Sequence, residues 1–149
     1  MHKDIPQERK IFLARDYSRG FIEYCHFKAE VIERGYFQST VAVQEHHRQQ
    51  DGFVHAGVMA TMADHTAGYS AFTTVSEDFQ ILTVEFKINF LRPAFGESLV
   101  CHSKVLREGG QIIISESEVF DIREGRAELA AKAMVTLMAL HKDKLVLKG

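Results

Sequence analysis

The chain has 149 residues, of which 46% are hydrophobic and 26% charged, and its formal net charge is -2. This composition fits one compact domain with a full core, and it lacks the long polar or single-sign runs of disordered chains. The small charge argues against a polyanion-binding surface, so nucleic acid is not expected as a partner. The two cysteines are widely spaced and do not indicate a disulfide scaffold.

The N-terminal segment and the apolar runs bear on location. Residues 1–9 are polar and lack the apolar core of a secretory signal. The longest apolar stretches are far shorter than the ~20 residues of a spanning helix. We therefore expect a cytoplasmic protein without a membrane partner. We also expect one domain over residues 1–149, in which residues 1–26 form an N-terminal helical extension.

Three elements are predicted in the first half of the chain. Apolar spacing over residues 8–26 predicts one or two short helices with a break at Gly20. β-Branched and aromatic residues alternate over residues 27–44, which predicts a hairpin that turns near Gly35. After a polar loop, residues 55–72 predict a helix that is apolar or small on nearly every face. Such a helix is usually buried.

The second half of the chain carries strand signals. Apolar and polar residues alternate over residues 82–90, so Thr83 is expected on the face opposite to the apolar set. Further strands are predicted over residues 98–107 and 111–122, joined by a glycine turn. Residues 126–140 favour helix by propensity and strand by alternation, and we choose strand. The prediction is an α+β protein with an antiparallel sheet wrapped around one long helix.

The start and the middle of the predicted helix carry two features of chemical interest. Loop glycines and His55 precede the helix, and the unpaired backbone N–H groups of such a terminus can hold an oxyanion. Asp64 is a carboxylate in a helix otherwise built for burial, which is costly unless the carboxylate is paired or faces a functional cavity. A mid-helix aspartate is also commonly solvent-facing. Ala60 and Gly68, four residues to either side, place Asp64 on the small-residue side instead.

The distance between the helix-start amides and Asp64 predicts a homodimer. Ala56 and Gly57 lie seven or eight residues before Asp64, which is roughly 11 Å along a helix at ~1.5 Å per residue. One carbonyl cannot contact both within one chain. Two antiparallel copies of the helix would place the amide of one chain beside Asp64 of the other. If both features serve one site, the protein is an obligate homodimer with two shared sites.

Two motifs resemble those of the hotdog-fold thioesterases. The first is G-x-x-H-A-G at residues 52–57 followed by Asp64, and the second is TVEFKINFLRPA at residues 83–94. The resemblance covers residues 27–140 and is closest to the branch that contains the phenylacetate-pathway (PaaI-like) thioesterase. It implies the hotdog fold, acyl-CoA thioesterase activity and no cofactor beyond the coenzyme A of the substrate. It also implies a site at a dimer interface, in a homotetramer built as a dimer of dimers.

The resemblance implies roles for single residues. The amide of Ala56, with Gly57 beside it, polarises the thioester carbonyl, although the family usually has glycine in place of Ala56. Asp64 acts as general base on water or as nucleophile. Gln49 stands where asparagine is common and helps to place the water or the carbonyl. Thr83 assists the carboxylate of Asp64. Because Thr83 is expected on the opposite face of its strand, this contact would require the partner chain or a twist at the strand end.

The remaining candidates follow from residue type. His55 fits a catalytic acid or a structural hydrogen-bond donor that locks the loop, and we favour the structural role. Phe53 and Met59 are expected to line a pocket for an apolar acyl or aryl group. Lys87 and Arg92 are candidates to meet the phosphates of coenzyme A. No metal is expected, because no carboxylate or cysteine spacing supports a site near the histidines.

Two other functions compete with thioester hydrolysis. A hotdog enoyl-CoA hydratase would need a histidine–carboxylate pair acting on the acyl chain. Such enzymes usually have a proline-rich loop near the helix or an aspartate and a histidine five residues apart, and neither pattern is present. A non-catalytic acyl-CoA-binding protein has no need for Asp64. Transcriptional sensors of this fold also carry a DNA-binding motif in front, for which the ~26 residues before the first strand are too few and not basic enough.

Overall fold

The computed structural model describes residues 4–145. The elements in chain order are α1 (Gln7–Tyr17), α2 (Phe21–Cys25), β1 (Lys28–Glu33), β2 (Tyr36–Ala42), α3 (Ala56–Phe72), β3 (Phe79–Phe90), β4 (Ser98–Glu108), β5 (Ile112–Arg123) and β6 (Arg126–His141), with 3-10 turns at Glu45–His47 and Lys142–Lys144. The strands form one antiparallel sheet in the order β1-β2-β4-β5-β6-β3. The segment in which helix and strand signals compete is strand β6, as predicted.

Helix α3 packs on one face of this sheet through small and apolar residues. Met62, Ala63 and Ala67 are fully buried. The facing surface of the sheet carries small hydroxyl side chains. One of them, Ser117, donates a 2.7 Å hydrogen bond from its Oγ to the Ala63 carbonyl. Small side chains on both surfaces let the helix approach the sheet closely, and the hydroxyl groups are satisfied by hydrogen bonds although they are buried.

Alternation in β6 explains why this segment is a strand despite its helix-forming residues. Ala131, Ala133, Val135 and Leu137 are buried beneath α3, whereas the residues between them are partly or fully exposed. This period of two matches one buried face of a sheet. Burial against α3 therefore outweighs helix propensity, which is only a weak preference.

Strand β3 departs from the predicted alternation at one point. Thr83 pairs with Leu137 and Phe86 pairs with Val135, both of which are buried beneath α3. The register shifts at Val84, so three successive residues of β3 lie opposite two residues of β6. This β-bulge turns Thr83 to the same face as Phe86. Thr83 lies opposite to Leu82 as predicted, but the prediction is wrong for Phe86 and the apolar residues after it, since an alternation rule does not foresee an extra residue.

The N-terminal extension packs against α3. Its two helices meet at Gly20, whose φ of 61° lies in the left-handed region that glycine adopts readily. Tyr17 is fully buried, and its hydroxyl lies 3.0 Å from Thr66 Oγ1. Tyr69 Oη donates to Asp16 Oδ2 over 2.7 Å. The predicted helices and the break between them are confirmed.

Two predictions from the sequence concern membrane crossing and the number of domains. Within residues 4–145, no helix is long and apolar enough to span a membrane. The prediction of a single domain over residues 1–149 stays a prediction.

Candidate active site

His55 organises the start of α3. Its Nδ1 atom accepts a 2.8 Å hydrogen bond from the Gly57 N–H, so its side chain caps the helix. Its own N–H donates to the His47 carbonyl over 2.9 Å. A Cβ atom at position 57 would lie 2.9 Å from His55 Nδ1, which explains why glycine suits this position. The His55 side chain therefore accepts a hydrogen bond at the helix start, whereas the structural role predicted from the sequence is that of a donor.

This cap decides which backbone amide at the helix start is available. The Gly57 N–H is taken by His55, and the Val58 N–H donates to the His55 carbonyl over 3.0 Å. The Ala56 N–H has no acceptor among residues 4–145, and Ala56 is exposed. Of the two amides named from the sequence, Ala56 is therefore the one that can donate to an oxyanion.

Asp64 and Thr83 meet within one chain. Thr83 Oγ1 donates a 2.7 Å hydrogen bond to Asp64 Oδ1. The bulge in β3 makes this contact, since it turns Thr83 towards α3. The prediction that the contact requires a partner chain or a twist at the strand end is therefore wrong. Asp64 is partly buried, and within the described residues its Oδ2 atom accepts no hydrogen bond.

An open groove of about 440 Å³ lies beside Asp64. Its walls come from the N-terminal extension, from α3 and from β3, through the residues Arg19, Phe21, Ile22, Ala60, Thr61, Asp64, His65 and Phe86. The N-terminal extension is not predicted from the sequence to contribute to the site. No local signal predicts this contact, because it joins segments about forty residues apart.

His65 also lines this groove and follows Asp64 in the chain. Its Nε2 atom lies 2.9 Å from the Tyr17 carbonyl, so this nitrogen carries the proton that it donates. Burial lowers the pKa of His65, and the hydrogen bond to Tyr17 and the carboxylates of Asp64 and Asp16 oppose that effect. The lowered pKa favours the neutral imidazole, and its hydrogen bond ties α3 to the end of α1. Its position next to Asp64 is the one sequence signal that pointed to it.

Gln49 and Phe53 belong to the loop in front of α3. The Gln49 N–H donates to the Phe53 carbonyl over 2.8 Å, and the Gln49 carbonyl accepts from the Gly52 N–H over 3.0 Å. Phe53 is half exposed, and its ring packs edge-on against Phe95. No side-chain hydrogen bond joins Gln49 to Asp64 in the part of the chain that the structure describes. One chain alone does not bring these predicted site residues together.

The other predicted substrate-binding residues lie away from the groove. Met59 is buried in the core. Lys87 pairs with Met134 on the face of the sheet turned away from α3. Arg92 Nη1 donates to the Leu129 carbonyl over 3.1 Å. A role for these residues in binding would need a different part of the substrate or a second chain.

Comparison with known proteins identifies the family. Residues 51–128 match the family described as Thioesterase superfamily. The crystal structure of a thioesterase family protein from Silicibacter pomeroyi is similar to this one with a TM-score of 0.84 and 30% sequence identity, covering 88% of this chain and 98% of that chain. A protein from Saccharolobus solfataricus that carries the name "Putative esterase" is 29% identical to this chain. The match covers 90% of this chain and 91% of that protein.

The fold is shared more widely than the sequence. The PaaI protein from the phenylacetic acid degradation operon of E. coli has a TM-score of 0.72 at 15% identity, covering 89% of this chain and 90% of that chain. At this identity the likeness shows the fold alone. The predicted hotdog fold is confirmed by these neighbours and by the antiparallel sheet that packs on α3. The chain therefore belongs to the thioesterase superfamily and is a thioester hydrolase with the hotdog fold.

Proposed function

We propose that the protein hydrolyses acyl-CoA thioesters at Asp64 and releases a free acid and coenzyme A. The observation that carries the proposal is the 2.7 Å hydrogen bond from Thr83 to Asp64 Oδ1 beside an open groove. This bond holds one carboxylate oxygen and leaves the other to meet water or substrate. A carboxylate held in this way can take a proton from water or attack a carbonyl carbon. Coenzyme A is part of the substrate, so no separate cofactor is proposed.

Asp64 has two alternative roles in this reaction. As a general base, it takes a proton from water while the water oxygen attacks the thioester carbon. The tetrahedral intermediate then collapses, and the departing thiolate takes that proton as the free acid forms. As a nucleophile, the carboxylate attacks the thioester carbon itself and expels the thiolate. Water then attacks the anhydride and breaks its bond to the Asp64 oxygen. This step frees the acid and restores the Asp64 carboxylate, while the thiolate takes up the proton that is released. Both routes pass through an oxyanion that needs a hydrogen-bond donor.

The donor that we propose is the Ala56 N–H of a second chain. Within one chain this amide lies roughly 12 Å along the helix from Asp64, too far for one carbonyl to touch both. Strand β3 stands at the edge of the sheet and exposes Val84 and Phe90. An exposed apolar edge of this kind is suited to pairing with a second copy. We propose a homodimer that completes two sites, with a dimer of dimers as the larger assembly.

The roles of the loop residues follow from this dimer. Gln49, Phe53 and His55 stand near the same helix start as Ala56, so they would approach Asp64 of the other chain together with it. We propose that Gln49 helps to place the water or the carbonyl and that His55 holds the loop. Lys87 and Arg92 remain candidates for contact with the phosphates of coenzyme A. The cytoplasmic location stays a prediction.

Replacement of Asp64 tests the proposed chemistry. We expect Asp64→Asn to lower kcat for acyl-CoA hydrolysis by about a hundredfold or more, because the amide can neither take a proton nor act as a nucleophile. Thiol release from acyl-CoA measures kcat, and titration with a non-hydrolysable thioether of CoA measures binding. Binding is expected to change little. Asp78→Asn is the matched control, since Asp78 is exposed in the loop after α3.

Three outcomes would contradict the proposal. Unchanged turnover in Asp64→Asn would remove Asp64 from the chemistry. Hydration of crotonyl-CoA without thiol release would assign a hydratase reaction instead. Acyl-CoA binding without turnover in the natural protein would leave a binding protein.

A further inference from the structure

We propose that α2 forms one wall of the acyl-binding groove and that Phe21 selects for large apolar acyl groups. This inference rests on the proposed function and names the substrate class of the same site. It concerns the N-terminal extension, which packs beside the helix that carries Asp64.

Two phenylalanines from distant parts of the chain line the groove at Asp64. Phe21 comes from α2 and is 66% exposed, and Phe86 comes from β3 and is 39% exposed. Ala60 of α3, one turn before Asp64, adds a small apolar surface to the same groove. Single exposed apolar residues are common, but several that converge on one carboxylate mark a binding groove.

The position of Phe21 is set by a rigid segment. The adjacent Ile22 is buried in the core with 3% exposure, which anchors α2. Ser18 Oγ donates to the Phe27 carbonyl over 3.0 Å, and His47 Nε2 lies 2.7 Å from the Cys25 carbonyl. These contacts hold both ends of the short helix. The backbone that carries Phe21 is therefore held in place beside the groove.

His65 connects this wall to the proposed catalytic helix. Its Nε2 donates to the carbonyl of Tyr17, the last residue of α1, over 2.9 Å. His65 directly follows Asp64 and lines the same groove. The segment that carries Phe21 is thus positioned relative to Asp64 by a direct hydrogen bond and not only by general packing.

The chemistry of the groove favours an apolar acyl tail. A thioester carbonyl placed at Asp64 would let its acyl chain lie between Phe21 and Phe86 and cover apolar surface that water now contacts. Arg19 is the one arginine or lysine among the lining residues, and it is paired with Asp16 at 3.3 Å. An acyl tail would therefore meet no uncompensated positive charge. An acetyl group has one methyl beyond the carbonyl and therefore covers much less of this apolar surface than a long acyl chain does.

Titration of the full-length protein with two thioether analogues, S-octyl-CoA and S-ethyl-CoA, tests the role of Phe21. We expect Phe21→Ala to weaken S-octyl-CoA about tenfold, a size typical for lost apolar contact in a binding pocket. The Kd of S-ethyl-CoA should stay within about twofold, because the smaller analogue covers much less of this apolar surface. Tyr24→Ala is the matched control, since Tyr24 is 80% exposed on the same helix and does not line the groove.

The outcomes of this titration test the role of Phe21 separately from the proposed thioesterase activity. An equal loss for both analogues, no loss for either, or no binding of S-octyl-CoA to the natural protein would overturn the role of Phe21. Hydrolysis of octanoyl-CoA and acetyl-CoA is measured in parallel. If neither thioester is hydrolysed, the proposed function fails, whereas the thioether titration still decides whether α2 forms the wall. If hydrolysis occurs, Phe21→Ala should lower kcat/KM about tenfold for octanoyl-CoA alone.

Discussion

At the scale of single residues, two hydrogen bonds define what the candidate site can do. Thr83 holds one oxygen of Asp64, and His55 occupies the Gly57 N–H. The first bond orients a carboxylate, and the second leaves Ala56 as the free donor at the helix start. Each bond restricts a group that would otherwise have several partners, which is how a site is preorganised before substrate arrives.

The Thr83 hydroxyl can be tested apart from the side-chain shape. Thr83→Val keeps the volume and removes the donor, so we expect kcat for acyl-CoA hydrolysis to fall about tenfold, the usual range for a lost hydrogen bond to a charged group. Thr83→Ser restores a hydroxyl and should recover most of this loss. Steady-state kinetics of both variants measure the effect. Equal activity in the valine and serine variants would show that the hydrogen bond does not support the reaction.

At the scale of elements, the turn that precedes the Gln49 loop links the N-terminal extension to α3. His47 is 2% exposed, and its Nδ1 accepts from the Gln44 N–H over 2.9 Å. Its Nε2 donates to the Cys25 carbonyl at the end of α2. Its own carbonyl accepts from the His55 N–H at the start of α3. One neutral histidine therefore joins three segments around the site.

The protonation of this histidine predicts how stability depends on pH. Burial lowers the pKa of His47 below the ordinary value of 6.5, and the charges of His46, His26 and Arg48 act in the same direction. A lowered pKa means that the unfolded chain binds the proton first. The stabilisation is therefore complete above about pH 6.5 and is lost as pH falls through the folded-state pKa. The pKa of His65 is lowered in the same direction, also by burial.

Urea unfolding at several pH values measures this dependence. We expect the free energy of unfolding to fall between pH 7 and pH 5, by at most about 1.4 kcal/mol per pH unit for each proton that only the unfolded chain binds. His47→Gln should make the curve flatter, whereas His46→Gln, at an exposed position, should leave most of the slope. Stability that rises towards pH 5 would contradict this assignment.

At the scale of the whole molecule, the proposed shared site implies that two defective chains can complement each other. Ala56 is the first residue of α3, a position where proline fits the helix and lacks only the N–H. The backbone of His55, with φ of -62° and ψ of 134°, suits a residue before proline. Ala56→Pro therefore removes the proposed oxyanion donor with little change to the helix.

Co-expression of Ala56→Pro and Asp64→Asn chains tests the dimer. Each variant alone is expected to be nearly inactive in thiol release. In a mixed dimer, the intact Asp64 of one chain faces the intact Ala56 of the other, and this pairing restores one of two sites. Random association then gives about one quarter of the natural activity. A mixture that stays as inactive as its components would mean that the two chains do not share a site.

Much of the fold follows from local patterns in the sequence. The alternation in β6 and the Gly20 break between α1 and α2 are encoded within a few neighbouring residues, so period and turn chemistry predict them. Asp64 also stands out locally, as a carboxylate on the small-residue side of an apolar helix. The resemblance of the two motifs to the hotdog-fold thioesterases then named the fold that the structure confirms.

The sequence by itself determined which elements form and which carboxylate is unusual, whereas the tertiary structure decided what surrounds that carboxylate. The Thr83 contact depends on a bulge set by pairing with β6, and a shift of one residue reverses the face of a strand. The free amide of Ala56 depends on where the His55 ring settles. The place of Phe21 in the groove depends on packing between segments about forty residues apart. Local propensity carries no information on such long-range contacts, because they form only when the chain folds onto itself.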